Sequence, residues 1–221
     1  DRPVVILSEN SLEHALLALG CMVAGVPFVP TSPPYSLVSQ DYDKLKHVLR
    51  TVTPGMVFAS DVRYAKAIAA TVSSDIEIVM HEGGVEGKQV TRFEDLCKTA
   101  STSQVDAAIA DTGPDSIVKF LFTSGSTKLP KAVINTQRMI CANQQQMRQS
   151  MLFLAEEPPV LVASEVLKNP RAVLSQLCTK LGLPFDEAML RWSAGPRPED
   201  GVWAPHWYAS VHRSTGFAPW Q

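Results

Sequence analysis

Short apolar runs alternate with longer helical patterns through the first 80 residues, and this alternation is the strongest constraint on the fold. Apolar runs of four or five residues are typical of strands that are buried on both faces, as in parallel sheets. Parallel neighbours need crossover connections, which the intervening helices supply. The sequence therefore predicts an α/β fold with a mostly parallel sheet and crossover helices. The predicted strands are residues 3–7, 26–29, 56–59 and 76–80, and the predicted helices are residues 10–25, 35–50 and 62–72.

Local signals indicate where several of these elements begin and end. Asn10 followed by Glu13 forms a capping signature for the first helix, which we expect to end at Gly25. Glycines within residues 82–87 indicate a surface turn, and the polar stretch 98–114 is expected to be an exposed linker. The inward face of the second helix is predicted to carry Leu45, Val48 and Leu49.

The segment between two apolar runs, residues 123–131, is the part of the sequence that indicates a binding function. Residues 117–122 and 132–135 are predicted strands, so the segment between them is the tip of a hairpin. Small hydroxyl residues beside a glycine let consecutive backbone N–H groups meet phosphate oxygens, and a lysine adds a movable positive charge. The alternative is a turn that binds nothing, but the ten-residue order and the flanking strands favour a nucleotide triphosphate. The candidate binding residues are Thr123, Ser124, Gly125, Ser126, Thr127 and Lys131.

The chain changes character beyond about residue 160. Asn169 and Pro170 occupy the preferred cap and first-turn positions of a helix that Gly182 ends, and a second short helix is predicted at residues 186–192. Residues 196–205 are expected to form a loop. All four tryptophans lie in the last thirty residues. We predict a small, mainly helical tail with an aromatic, irregular end.

Charge and composition narrow the classes of partner. The formal net charge is −2 and no basic cluster is present, so a nucleic-acid partner is not expected. The longest strongly apolar region, residues 15–29, contains glycines and a proline and is shorter than the roughly 20 residues that span a bilayer. Four well-separated cysteines indicate free thiols in a reducing cytoplasm. Because the start lacks an initiator methionine and a signal-like pattern, we expect a chain cut from a longer one.

Residues 2–162 resemble the adenylate-forming superfamily of acyl-CoA synthetases, and most closely the feruloyl-CoA synthetase group. The resemblance rests on VVILSENSLEHALLAL at residues 4–19, GVPFVP at 25–30, the 36–49 helix and FLFTSGSTKLPKAVINTQ at 120–137. The general family loop has glycines where this chain has Lys128 and Ala132, although these two departures fit the feruloyl-type subgroup. The resemblance implies an incomplete adenylate-forming N-terminal domain over residues 1–162.

The resemblance also implies a two-step ligase reaction. An aromatic or other carboxylic acid attacks the α-phosphate of ATP, pyrophosphate leaves, and the thiol of coenzyme A takes the acyl group from the acyl-adenylate. Mg²⁺ bridges the phosphates in this scheme. The hydroxyl residues of the loop donate to the β and γ oxygens, Gly125 permits close backbone approach, and Lys131 neutralises charge on the leaving group.

Other interpretations of the function stay open, because several parts of the family's active site have no counterpart in the sequence. The missing parts are the acyl pocket, the residues that hold adenine and ribose, the acidic metal ligand and the catalytic lysine. Residues 163–221 resemble the end of bacterial sulfotransferase-like P-loop proteins, whose donor-binding loop is also missing. A non-catalytic fusion of the two segments is therefore an alternative to a ligase fragment, and a sulfotransferase-like protein is a weaker third. Ser164, Arg213 and Ser214 are candidates for a former phosphate site or for plain surface residues. Trp203, His206, Trp207 and His212 are expected to form an aromatic cluster rather than a metal site.

Overall fold

The computed structural model describes residues 2–123, 129–151, 160–197, 200 and 208–219. The chain forms two compact units, Asp1–Gln144 and Gln145–Gln221. The domain boundary near residue 162 is a boundary between two sequence resemblances, and it stays a prediction.

A seven-stranded sheet is the framework of the first unit, with the strand order β5-β4-β3-β1-β2-β6-β7. Every neighbouring pair is parallel except β6 and β7, which are antiparallel. The predicted α/β fold with a mostly parallel sheet is confirmed. The strands are β1 Val4–Leu7, β2 Phe28–Pro30, β3 Met56–Ala59, β4 Glu77–Met80, β5 Thr91–Arg92, β6 Ile117–Thr123 and β7 Lys131–Thr136.

The sheet has an apolar core on each face, which explains why its central strands are continuous apolar runs. Val5 and Leu7 of β1 belong to one core, whereas Val4 and Ile6 belong to the other, because successive side chains of a strand point to opposite faces. Helices α3 and α4 cover the first core, and α1 and α5 cover the second. The helices of this unit are α1 Leu12–Val23, α2 Pro34–Leu37, α3 Asp43–Val52, α4 Ala65–Thr71, α5 Phe93–Lys98, α6 Ser103–Asp111 and α7 Gln137–Ser150, and α7 continues past residue 144.

Helix α1 begins one residue later than the sequence predicts. The capping residue is Ser11, whose Oγ accepts a hydrogen bond from the His14 backbone N–H at 3.2 Å, so the prediction of Asn10 was wrong. Both faces of this helix are apolar. One face packs Leu17, Ala18, Cys21 and Met22 on the second core. The other face exposes Leu12, Leu16, Leu19 and Val23.

The single helix predicted at residues 35–50 is two helices, α2 and α3. The chain breaks between them at Tyr42, whose φ of 54° is left-handed. The Ser39 hydroxyl accepts a hydrogen bond from the Tyr42 N–H at 3.0 Å and donates one to Asp41, and these local bonds compete with helix continuation. The inward positions of Leu45, Val48 and Leu49 are confirmed, because all three are buried.

The stretch 98–114 is not the linker that its polarity predicts, since it contains helix α6. This helix buries none of its side chains, which is why its polar sequence looked like a loop. Its end is fixed by Thr112, which packs against Gly25. Gly25 has a φ of +66°, and a Cβ atom on it would lie 2.6 Å from the Thr112 Oγ1.

The second unit consists of two helices and an irregular end. Helices α8 Ala163–Lys168 and α9 Pro170–Lys180 are followed by a 3₁₀ turn, Glu187–Leu190, where the sequence predicts a helix over residues 186–192. The predicted cap is confirmed, because the Asn169 side chain accepts a hydrogen bond from the Ala172 N–H at 3.2 Å. An ion pair between Arg171 and Glu187 ties α9 to the turn.

The four cysteines are free thiols, as predicted, with Cys21 and Cys178 buried. Burial raises the pKa of Cys21 to about 11, so this thiol stays protonated and unreactive at neutral pH. Within the described ranges, no helix combines the length and the apolar character needed to cross a bilayer.

Gly25→Ala is expected to destabilise the protein by about 2 kcal/mol. The substitution forces alanine into the left-handed backbone conformation and brings its Cβ atom into a clash with Thr112. Gly20→Ala is the matched control. Gly20 lies inside α1 with open space at its Cβ position, so alanine there should stabilise by about 0.5–1 kcal/mol. Urea unfolding followed by circular dichroism measures both, and equal effects of the two substitutions would contradict this account of residue 25.

Candidate nucleotide-binding hairpin

Strands β6 and β7 form the antiparallel hairpin that the sequence predicts. The ladder runs from Ile117 opposite Thr136 to Thr123 opposite Lys131. On its other side β6 lies parallel to β2, with Lys119 opposite Phe28, so the hairpin is a continuation of the parallel sheet. Because β7 is the last strand in the sheet order, the hairpin lies at the sheet edge.

Two of the candidate binding residues form the last pair of the ladder, at the mouth of the hairpin. Thr123 ends β6, Lys131 begins β7, and both are exposed. Among the residues that the structure describes, Lys131 has no ion-pair partner, so its charge is available to an anion. The candidates Ser124, Gly125, Ser126 and Thr127, together with Lys128, lie outside the described residues.

The first residues of α7 hold the base of the hairpin in place. The Gln137 N–H donates to the Ser116 carbonyl at 3.0 Å, and the Gln137 side chain donates to the Met22 carbonyl at 3.2 Å. The Arg138 guanidinium contacts the Asp115 carboxylate at 3.1 Å and lowers the pKa of that carboxyl. These contacts hold the two strand ends that are farthest from the mouth.

Helix α3 contacts the hairpin close to its mouth. The His47 Nε2 lies 2.9 Å from the Pro130 carbonyl oxygen, at hydrogen-bond distance. The same imidazole meets the Phe122 ring edge-on, with 6.3 Å between ring centroids. Sequence reasoning missed this contact, because His47 is 83 residues from Pro130.

Charged groups also collect at the carboxyl ends of β1 and β3, where open α/β sheets often bind ligands. Arg63 contacts Glu9 at 2.9 Å and Asp61 at 2.8 Å. The hydrogen bonds from Arg63 lower the pKa of Asp61 to about 2. Two carboxylates thus already neutralise the guanidinium, so this cluster is a poor site for phosphate.

A cavity of about 660 Å³ lies beside β4 and β5, at the opposite edge of the sheet from the hairpin. Its lining includes the carboxylates Asp75, Glu77 and Glu86. The one lysine in the lining, Lys88, donates to the Val72 carbonyl. This cavity repels phosphate, so the hairpin stays the better candidate for a nucleotide.

Of the polar candidates in the second unit, Ser214 has structural partners. The Ser214 hydroxyl accepts a hydrogen bond from the Trp192 Nε1 at 2.9 Å and donates to the Val211 carbonyl, which uses its bonding capacity within the fold. The His212 Nε2 lies 2.9 Å from the Asp200 carboxylate, a contact that sequence reasoning missed because the two residues are 12 positions apart. Trp203, His206 and Trp207 lie outside the described residues, and the described part of the chain contains no cluster of three metal-ligating side chains.

The fold agrees with the comparisons with known proteins. The sequence profile of the AMP-binding enzyme family matches residues 1–166, and the chain belongs to this family. A sulfotransferase-domain profile matches residues 134–221 and overlaps the first match.

Solved structures share the fold of this chain. ATP-bound MatB from Rhodopseudomonas palustris superposes with a TM-score of 0.54 at 22% identity, over 69% of this chain and 28% of that one. A structure from work on fatty acyl-adenylate ligases of E. coli and L. pneumophila superposes with a TM-score of 0.52 at 22% identity, over 72% of this chain and 26% of that one.

Relatives in sequence are much longer than this chain. An indenyl-propanoyl:CoA ligase of Rhodococcus jostii (strain RHA1) is 29% identical over 146 residues, which are 61% of this chain and 28% of the relative. Branched-chain-amino-acid aminotransferase-like protein 1 of Arabidopsis thaliana is 56% identical over 61 residues, which are 28% of this chain and 11% of the relative. The chain thus spans about a tenth of the plant relative and little more than a quarter of the ligase.

Proposed function

We propose that the first unit is the phosphate-binding part of an ATP-dependent acyl-CoA ligase of the feruloyl-CoA synthetase type. The single observation that carries the proposal is the exposed Thr123–Lys131 pair at the hairpin mouth, where the lysine has no ion-pair partner among the described residues. Membership of the AMP-binding enzyme family supports it. In the proposed reaction a carboxylate oxygen bonds to the α-phosphorus of ATP, and the bond to pyrophosphate breaks.

Each residue of the hairpin has a part in this proposal. Thr123, Ser124, Ser126 and Thr127 donate hydrogen bonds to the β and γ oxygens, and Gly125 lets the backbone approach them closely. Lys131 neutralises the charge that accumulates on the leaving pyrophosphate. Mg²⁺ would supply further neutralisation of the phosphates, and no residue of this chain is assigned to hold it. In the second step the thiol sulfur of coenzyme A bonds to the acyl carbon, the acyl–phosphate bond breaks, and AMP leaves.

A non-catalytic fusion of an adenylation segment with a sulfotransferase-like segment, residues 163–221, is the second candidate. The sulfotransferase-domain match over residues 134–221 favours it. Both candidates keep a phosphate-binding hairpin, and they differ in whether that hairpin belongs to a protein that turns over substrate.

Lys131→Ala is expected to weaken Mg-ATP binding at least tenfold, because a hydrogen bond to a charged group contributes about 1.5–3 kcal/mol. Lys66→Ala is the matched control, since Lys66 is an exposed lysine of α4 and its loss changes the net charge equally. Isothermal titration of Mg-ATP measures both variants. Identical heats for the wild type and Lys131→Ala would remove the hairpin from the proposal.

The chain alone is expected not to activate ferulate, because correct positioning of the carboxylate and the adenine supplies much of the rate and the family's groups for it have no counterpart in this sequence. The measurement is hydroxamate formation from ferulate, ATP and hydroxylamine, with Lys131→Ala as the background control. Hydroxamate above that background would contradict the expectation and favour a self-sufficient ligase over a non-catalytic fusion.

A further inference from the structure

His47 connects the rigid core to the mouth of the hairpin. Its helix, α3, is fixed in the first core by the buried side chains of Leu45, Val48, Leu49 and Val52. From this helix the His47 Nε2 reaches the Pro130 carbonyl at 2.9 Å. A carbonyl oxygen only accepts hydrogen bonds, so Nε2 carries the proton in this contact.

The imidazole contacts the chain one residue before each member of the Thr123–Lys131 pair, at Phe122 inside β6 and at Pro130 just outside β7. Pro130 immediately precedes Lys131, and Phe122, which meets the His47 ring, immediately precedes Thr123. Phe122 also packs against the first core. The imidazole therefore fixes the direction in which each strand enters the final Thr123–Lys131 pair.

The hairpin needs such a contact because its position in the sheet gives it little support. Strand β7 is an edge strand that pairs with β6 alone in the described sheet, and hairpins without packing are marginally stable. A binding loop that is already ordered loses less conformational entropy when its ligand binds. Fixing the hairpin at its mouth thus favours phosphate binding without touching phosphate.

We propose that His47 is a positioning residue for the phosphate loop, acting through the Pro130 carbonyl. This inference rests on the proposed function, since it assigns a supporting residue to the same site. The hydrogen bond is made by the Nε2–H tautomer and by the imidazolium alike. The Phe122 contact adds to it by restricting rotation of the ring.

Substitutions at residue 47 separate the hydrogen bond from the ring. His47→Phe keeps a ring against Phe122 and removes the donor. His47→Gln keeps a donor at the same number of bonds from the backbone and removes the ring. Arg50→Gln, at an exposed position of the same helix, controls for a general effect on α3. We expect His47→Phe to weaken Mg-ATP binding about tenfold, and His47→Gln and Arg50→Gln to stay within about threefold of the wild type.

Hydrogen exchange gives a readout that does not depend on ATP. In the ligand-free chain, His47→Phe should speed amide exchange in residues 129–136 about tenfold and leave β3 unchanged, whereas His47→Gln should restore slow exchange. If His47→Phe lowers the Tm, His47→Asn takes its place as the variant that lacks the hydrogen bond, and it is compared with His47→Gln. The asparagine amide is one methylene too short to reach Pro130.

The two readouts distinguish failure of this inference from failure of the proposed function. If the wild-type chain binds no Mg-ATP, the proposed function fails, and the exchange rates alone decide whether His47 orders the hairpin. If Lys131→Ala weakens binding but His47→Phe has wild-type affinity, the inference is overturned. Wild-type exchange rates at residues 129–136 in His47→Phe would overturn it as well.

Discussion

The parallel pairing of β6 with β2 is the contact on which the rest of the first unit depends. It brings residues 117–123 beside a strand that lies some 90 positions earlier, with Lys119 opposite Phe28. The five strands on the other side of this contact form an α/β layer with a core on each face. Without the pairing, the hairpin would be an isolated two-stranded ribbon, which is marginally stable in water.

Charge distinguishes the hairpin mouth from the other polar regions of the first unit. At the carboxyl ends of β1 and β3, Arg63 is neutralised by two carboxylates, and the cavity beside β4 and β5 has an acidic lining. Lys131 is exposed and has no ion-pair partner within the described part of the chain. An anion at the hairpin mouth thus gains a positive charge that no described carboxylate shares, within one of the segments that resemble the acyl-CoA synthetases.

Sequence patterns predicted the elements that depend on local chemistry. Strand β3 matches its predicted bounds because its apolar run is short and lies between Gly55 and Ser60, and helix α9 begins at Pro170 because Asn169 caps it. The patterns failed where a few hydrogen bonds decide the outcome, as in the Ser39–Tyr42 contact that ends α2 before α3 begins. They also failed for α6, because an exposed helix has the polarity of a loop. The contacts of His47 with Pro130 and of His212 with Asp200 depend on tertiary approach, which no local pattern encodes.

The account predicts that the hairpin tip holds a triphosphate, and amide NMR of the labelled chain tests this most directly. Addition of Mg-ATP should shift the Thr123, Lys131 and tip amides most, with smaller changes near His47 and none beside the acidic β4–β5 cavity. Spectra that do not change with Mg-ATP, or changes confined to regions away from residues 123–131, would contradict the account.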